Sequence, residues 1–257
     1  CGGRGTGAAN QAINADPGVM LWAMGDVYED RLKNSYNGLK NQHGTRVMVD
    51  QERQFVGFDA IDKVLETGVD VVILSTPPGF RPDHLEKAVA AKKHVFCEKP
   101  MATDMPGLRR VMESAKKAKS QGTQLMSGFC WRYSMPERAM SGEINDGALG
   151  EIESIHSTYH TGPLGTRART PEMTDMDFGL RNWQHQNWLS GDIIVELLGK
   201  GRHVNLAPRI RRDRIDRKSA HGRCGRICSM GRIWHQDAPA RGRPAFPIIQ
   251  RRADRHH

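Results

Sequence analysis

At 257 residues, 26% of them charged, the chain is long enough for one large domain or two modest ones with an ample core. Its formal charge of +9 is unevenly spread, because residues 200–257 hold 14 Arg and 2 Lys against 4 Asp, a net +12 that leaves −3 on residues 1–199. The basic balance belongs to the tail, which argues against a nucleic-acid patch on the folded part, and no run approaches 18 apolar residues, which argues against a membrane-spanning helix. Five scattered cysteines (Cys1, Cys97, Cys130, Cys224, Cys228) do not suggest a disulfide framework, so reduced thiols are expected.

The chain opens Cys1-Gly2-Gly3-Arg4-Gly5-Thr6-Gly7-Ala8, a glycine-rich turn leading into a helix over residues 9–15. Such a turn lets backbone amides approach a pyrophosphate, whose charge the helix N-terminus favours. Two registers of the glycine pattern fit, and the strand that should precede the turn is missing at residue 1. A strand follows at residues 19–24, and Asp26 stands at its end, roughly 20 residues beyond the turn, where a carboxylate accepts the ribose hydroxyls of a dinucleotide. An acid there repels a 2′-phosphate, so NAD is preferred over NADP; the alternative is an Asp that caps a turn before Val27.

Residues 59–66 form an amphipathic stretch, and residues 69–74 (Val-Asp-Val-Val-Ile-Leu) have the β-branched, mostly apolar character of a strand buried on both faces. Ser75-Thr76-Pro77-Pro78 then leaves its carboxyl end, either as a wall against a nicotinamide ribose or as an ordinary strand-to-helix turn. His84 lies in the first turn of the next helix, read over residues 82–92, and either caps locally or reaches the cofactor. The run His94-Val95-Phe96-Cys97 is another strand, ended by Glu98-Lys99-Pro100. In an open parallel sheet, ligands bind outside the carboxyl ends of the strands, so Lys99 is placed to exchange a proton with a substrate. A helix over residues 105–118 and a strand over 124–129 complete an alternating pattern, the sign of a doubly wound parallel α/β sheet.

The run from Val71 through Pro78, then His84, then residues 88–100 with Glu98-Lys99-Pro100, resembles the Gfo/Idh/MocA oxidoreductases, the glucose-fructose oxidoreductase and inositol dehydrogenase family. The resemblance covers residues 1 to about 196. It implies a Rossmann-type NAD-binding domain over residues 1–133, its first strand missing, followed by a truncated α/β domain with antiparallel strands from residue 134. It also implies hydride exchange between nicotinamide and a sugar, cyclitol or related polyol. Lys99 matches the lysine beside the reacting hydroxyl, Glu98 and Pro100 fix its turn, and Arg132 in Phe129-Cys130-Trp131-Arg132-Tyr133 matches the basic residue closing the dinucleotide domain; a plain surface Arg is the alternative there. Cofactor contacts are expected from Gly2, Gly3, Arg4, Gly5, Asp26, Ser75, Thr76, Pro77, His84, Glu98, Lys99 and Arg132, and the substrate partner is a small sugar or polyol. No membrane or nucleic-acid partner is expected unless the Arg-rich tail is genuine. A family-type homo-oligomer is allowed, although its interface sheet is incomplete.

In the second region, residues 136–145 read as a helix and 151–160 as a half-exposed strand, whereas 162–181 is a polar loop without period. Residues 190–196 resemble the start of the family's substrate-domain helix, but Lys200 and His203 stand where its His and Asp should follow. Residues 200–257 contain no Glu, Thr or Tyr and a single Leu and Val, a composition expected to be disordered. An out-of-frame translation of a GC-rich gene is favoured over a natural basic arm, and the loosely spaced Cys224 and Cys228 are assigned no metal. The expectation is an NAD-dependent oxidoreductase impaired by truncation. The alternatives are an NAD-dependent glycoside hydrolase of the same family, acting by transient oxidation and elimination, and a non-catalytic nucleotide-binding remnant. Localisation is open: cytoplasmic by default, with an exported origin allowed by the missing N-terminal segment.

Overall fold

The computed structural model describes residues 1–150, 152 and 164–191. The strand expected at 151–160, the helix start at 192–196 and the tail with Cys224 and Cys228 therefore fall on undescribed positions, Ile152 apart.

Helices and strands alternate as the pattern predicts. Helix α1 (Gly3–Ala15) leads to β1 (Met24–Asp26), α2 (Glu29–His43), β2 (Gln54–Val56), α3 (Ala60–Glu66) and β3 (Val71–Leu74). Helix α4 (Arg81–Ala90), β4 (His94–Cys97), α5 (Met105–Gln121) and β5 (Leu125–Ser127) complete the unit. Every strand pair is parallel, with Met24 beside Gln54, Val71 beside His94 and Val95 beside Leu125. Parallel neighbours need crossover helices: α2 joins β1 to β2, α4 joins β3 to β4 and α5 joins β4 to β5, whereas α3 leads from one half of the sheet to the other.

The sheet is split. Strands β1 and β2 form one half and β3, β4 and β5 the other, with no ladder between β1 and β3. Each half has its own core. Ile13, Leu32, Leu39 and Val47 pack with Met24 on one side, while Leu85, Val89 and Val111 pack with Val72, Leu74 and Val95 on the other. A cavity of about 510 Å³ runs between the halves, bordered by residues 20–26 and 69–75. Paired strands lie only ~4.8 Å apart, leaving no such space, so β1 and β3 are separated by more than one strand spacing.

Several expected elements differ in extent. The strand read at residues 19–24 is shifted: β1 starts at Met24, and upstream only Leu21 bridges Val47. Helix α2 and strand β2 were not anticipated, nor was α7 (Asp175–Arg181) inside the stretch read as a loop. Helix α6 (Met135–Asn145) matches its reading, and a short α8 (Asn187–Ser190) closes the described part. Among the described residues no helix is long and apolar enough to cross a membrane, and no group of three His, Cys, Asp or Glu side chains could hold a metal ion.

Candidate dinucleotide crevice

The glycine turn, the end of β1 and the turn after β3 meet at the carboxyl rim of the split sheet. Gly2 is the N-cap of α1 in an extended conformation, and no side chain caps the helix. The first intrahelical bond runs from Thr6 N to Gly2 O at 2.9 Å, so the amides ahead of Thr6 have no acceptor within the helix. Space around the turn is open: a Cβ placed on Gly2 or Gly3 would meet nothing within 4 Å, whereas one on Gly5 would stand 3.4 Å from Ser75 Cβ. Gly5 thus brings the turn into contact with the β3 half.

Asp26 ends β1, as expected. Its Oδ1 accepts Tyr28 N at 2.9 Å, and the main-chain nitrogen of Cys1 lies 2.6 Å from Oδ2. On the opposite wall stand Ser75, Thr76, Pro77 and His84. Thr76 Oγ1 lies 3.1 Å from His84 Nδ1, and the imidazole stacks on Phe80 with ring centroids 6.0 Å apart. Burial pushes the pKa of His84 down, against the opposing pull of Asp83, which favours the neutral ring.

The Glu98-Lys99-Pro100 turn follows β4 on the same rim. Glu98 is 1% exposed and accepts two bonds from Arg4, Nε at 2.8 Å and Nη2 at 2.5 Å. Gly128 permits this packing, because a Cβ there would come within 3.0 Å of both Glu98 Cα and its carboxylate. The pair anchors the glycine turn to the lysine turn. Lys99 is half-buried and joined to Pro100 by a cis peptide bond. Cys97, just beneath, is a shielded thiol whose pKa burial pushes up to about 12.

Of the residues expected to touch a cofactor, Gly2, Gly3, Arg4, Gly5, Asp26, Ser75, Thr76, Pro77 and His84 line the one cavity. Glu98 and Lys99 do not line it; Glu98 reaches it through Arg4, and Lys99 is the next residue in the turn. Arg132 is exposed, also off the cavity wall, and its guanidinium carbon lies 5.9 Å from the Phe129 ring centre. Several further residues were not anticipated. Phe58, Phe80, Leu180, Trp183 and Gln184 complete the wall. The segment carrying the last three is fastened to both halves. Arg181 reaches Asp30 at 3.0 Å and lies over the Tyr28 ring at 3.9 Å, whereas Trp188 meets Phe80 edge-on at 6.1 Å.

These features suit a dinucleotide. Uncapped amides and open space at a helix start fit a pyrophosphate, and a carboxylate at the next strand end fits ribose hydroxyls. Ser75 Oγ is buried beside Gly5 without a hydrogen-bond partner, a polar atom awaiting a ligand.

Fold and rim together define a nucleotide-binding α/β domain of the Rossmann class. Residues 7–129 match the oxidoreductase family with an NAD-binding Rossmann fold, so the domain they form is of the Gfo/Idh/MocA type. A 1-carboxy-3-chloro-3,4-dihydroxycyclo hexa-1,5-diene dehydrogenase of Comamonas testosteroni is 32% identical over 140 residues, covering 54% of this chain and 34% of that protein. The myo-inositol 2-dehydrogenase of Thermotoga maritima is 24% identical over 185 residues, covering 71% and 51% respectively. The chain thus spans a third to a half of the length of these relatives. A 3-ketoreductase of Actinomadura kijaniata, solved in complex with NADP and TDP-benzene, shares the fold with a TM-score of 0.50 at 23% identity, over 74% of this chain and 49% of that one.

Proposed function

We propose that the chain supplies the dinucleotide-binding half of an oxidoreductase acting on a hydroxyl-bearing carbon of a sugar, cyclitol or related polyol, with NAD preferred over NADP. The observation that carries this reading is the convergence of the Gly2–Gly5 turn, the Asp26 carboxylate and the unpartnered Ser75 hydroxyl on one cavity, with the Lys99 turn tied to it through Arg4 and Glu98. When bound, NAD supplies the hydride acceptor. The chain's own part is to hold it: amides at the start of α1 for the pyrophosphate, Asp26 for the ribose hydroxyls, Ser75 and Thr76 as a polar wall.

Lys99 is the proton carrier in this reading. A neutral amine at a strand's carboxyl edge takes the hydroxyl proton of the carbinol, and the ammonium so formed offsets alkoxide charge as it develops. Asp26 discriminates between cofactors by like-charge repulsion of a 2′-phosphate. The name of the Thermotoga relative supports a cyclitol as the first substrate to try. Because Lys200 and His203 stand where the family pattern has His and Asp, the chain as written binds cofactor without sustained turnover.

Thermal melts of residues 1–257 with added dinucleotide test the reading. Ligand at 100 times its Kd adds about 2.7 kcal/mol, so NAD should raise the Tm by several degrees. NADP should raise it less, and Asp26→Ala should bring the two together. Absence of a shift with either dinucleotide at millimolar concentration refutes the binding reading, and a larger shift with NADP refutes the preference. Steady NADH formation with myo-inositol, abolished by Lys99→Ala, would overturn the statement that turnover is lost.

A further inference from the structure

Arg81 is the first residue of α4 and is 4% exposed. Its position is electrostatically unfavourable for the helix, since a cation at an N-terminus faces the positive end of the macrodipole. What surrounds the guanidinium accounts for it. Nε donates to Thr76 O at 2.7 Å, and Nη1 donates to Glu98 O at 3.0 Å and to Pro100 O at still closer range. Thr76 belongs to the turn after β3, and Glu98 and Pro100 to the turn after β4.

The two strands are in register from Val71 beside His94 to Leu74 beside Cys97, and the ladder continues one step further, with Glu98 N donating to Leu74 O at 2.9 Å. Past that point the chains leave the sheet as turns, and their inward carbonyls need donors. A planar fork with donors in fixed directions bonds both turns at once, which a flexible ammonium does less well. Arg81 is not on the cavity wall, yet both turns it joins matter there. One contributes Thr76, which holds His84, and the other contains Lys99.

We propose that Arg81 is a positioning residue, holding the Lys99 turn at a fixed distance from the Thr76 wall through its bonds to the carbonyls on either side. This rests on the reading of Lys99 as the proton carrier at the crevice. Arg81 acts only through the two turns.

The test compares residues 1–257 with Arg81→Lys and Arg81→Met. Trace acetylation followed by mass spectrometry gives the rate at Lys99 relative to exposed Lys92, with no cofactor present. Lys40, whose Nζ donates to Val47 O at 2.8 Å in the other half of the sheet, reports general loosening. NAD affinity is read in parallel from melting shifts. The expected result is a relative Lys99 rate changed by about fourfold in Arg81→Met and by about twofold in Arg81→Lys, with Lys40 unmoved and NAD affinity weakened in the same order. A folded Arg81→Met with wild-type values at Lys99 and for NAD overturns the proposal, as does a change at Lys40 equal to that at Lys99. If Arg81→Met does not fold, wild-type values in Arg81→Lys overturn it and intermediate ones support it. Loss of Lys99 control in a chain that never binds NAD would sink the cofactor reading and leave Arg81 in its positioning role. Intact NAD binding with an unchanged Lys99 rate would do the reverse.

Discussion

Removing the Arg4 side chain should cost more than a surface ion pair is worth, and the structure says why. The pair is asymmetric, with Arg4 half exposed and the Glu98 carboxylate 2% exposed beneath Gly128. A fully buried pair broken from one side costs about 3–5 kcal/mol, and an exposed one about 0–1 kcal/mol. Water can reach the Arg4 side of the contact, so Arg4→Ala is expected near 2 kcal/mol, or roughly 4–8 °C in Tm at this chain length. Glu98→Gln keeps the shape but loses the charge, and in that background Arg4→Ala should cost much less. Urea unfolding of the wild type, both single variants and the double variant measures the coupling. A coupling below about 0.3 kcal/mol, the scatter expected of independent sites, would refute the claim that this contact joins the glycine turn to the lysine turn. The stability loss should also be accompanied by weaker NAD binding, since the glycine turn loses its anchor at the mouth of the cavity.

The cavity separates β1 from β3, and the Cys1 nitrogen beside Asp26 stands at the carboxyl rim of that space. Fusing five or six apolar, β-branched residues directly ahead of Cys1 should raise the Tm by roughly 6–24 °C, because two newly buried side chains contribute about 1.5–3 kcal/mol each. The same fusion with alternate residues changed to Lys should not, and equal melting of both fusions would show that the space takes no strand. His84 makes stability depend on pH with a defined sign. Its folded pKa is lowered by burial, so the unfolded chain binds the proton more readily and stability falls as pH drops below about 6.5 toward the folded pKa. Urea midpoints between pH 8 and pH 5 should fall less in His84→Gln than in the wild type, and an identical slope in both would exclude His84 as the cause.

The parts of the site carried by local chemistry were legible in the sequence. Strand β4 coincides with the run His94 to Cys97, and Asp26 sits at a strand end as its spacing from the glycine turn required. Helix α2 was missed because its apolar signal is thin, with only Leu32, Ser35 and Leu39 buried among polar and amide residues. Helix α7 left a readable trace: the Thr174 hydroxyl accepts Asp177 N at 3.1 Å, an N-cap with an acid three residues on. Arg81 left none. A charged residue opening a helix reads as solvent-facing, and only the convergence of carbonyls from two separate turns makes its burial favourable.

The split sheet also explains why the rim is formed although its centre is open. Each half has its own apolar cluster, and Ile61 and Leu65 of α3 also pack on that of the β3–β5 half. Helix α3 thereby links the halves at the back of the crevice, where Lys87 also reaches Asp62 at 2.9 Å and Trp22 Nε1 donates to Thr67 O at 2.9 Å. A second set of links, close to the carboxyl end, sets one wall against the other. Gly5 touches Ser75, Arg4 grips Glu98, and the segment ending in α8 holds Tyr28 and Asp30 on one side and Phe80 on the other. At the amino ends the cavity continues between residues 20–23 and 69–71. Among the described residues the crevice is therefore bounded by a few polar and aromatic contacts at its mouth and by α3 behind, where a continuous sheet would add a hydrogen-bond ladder.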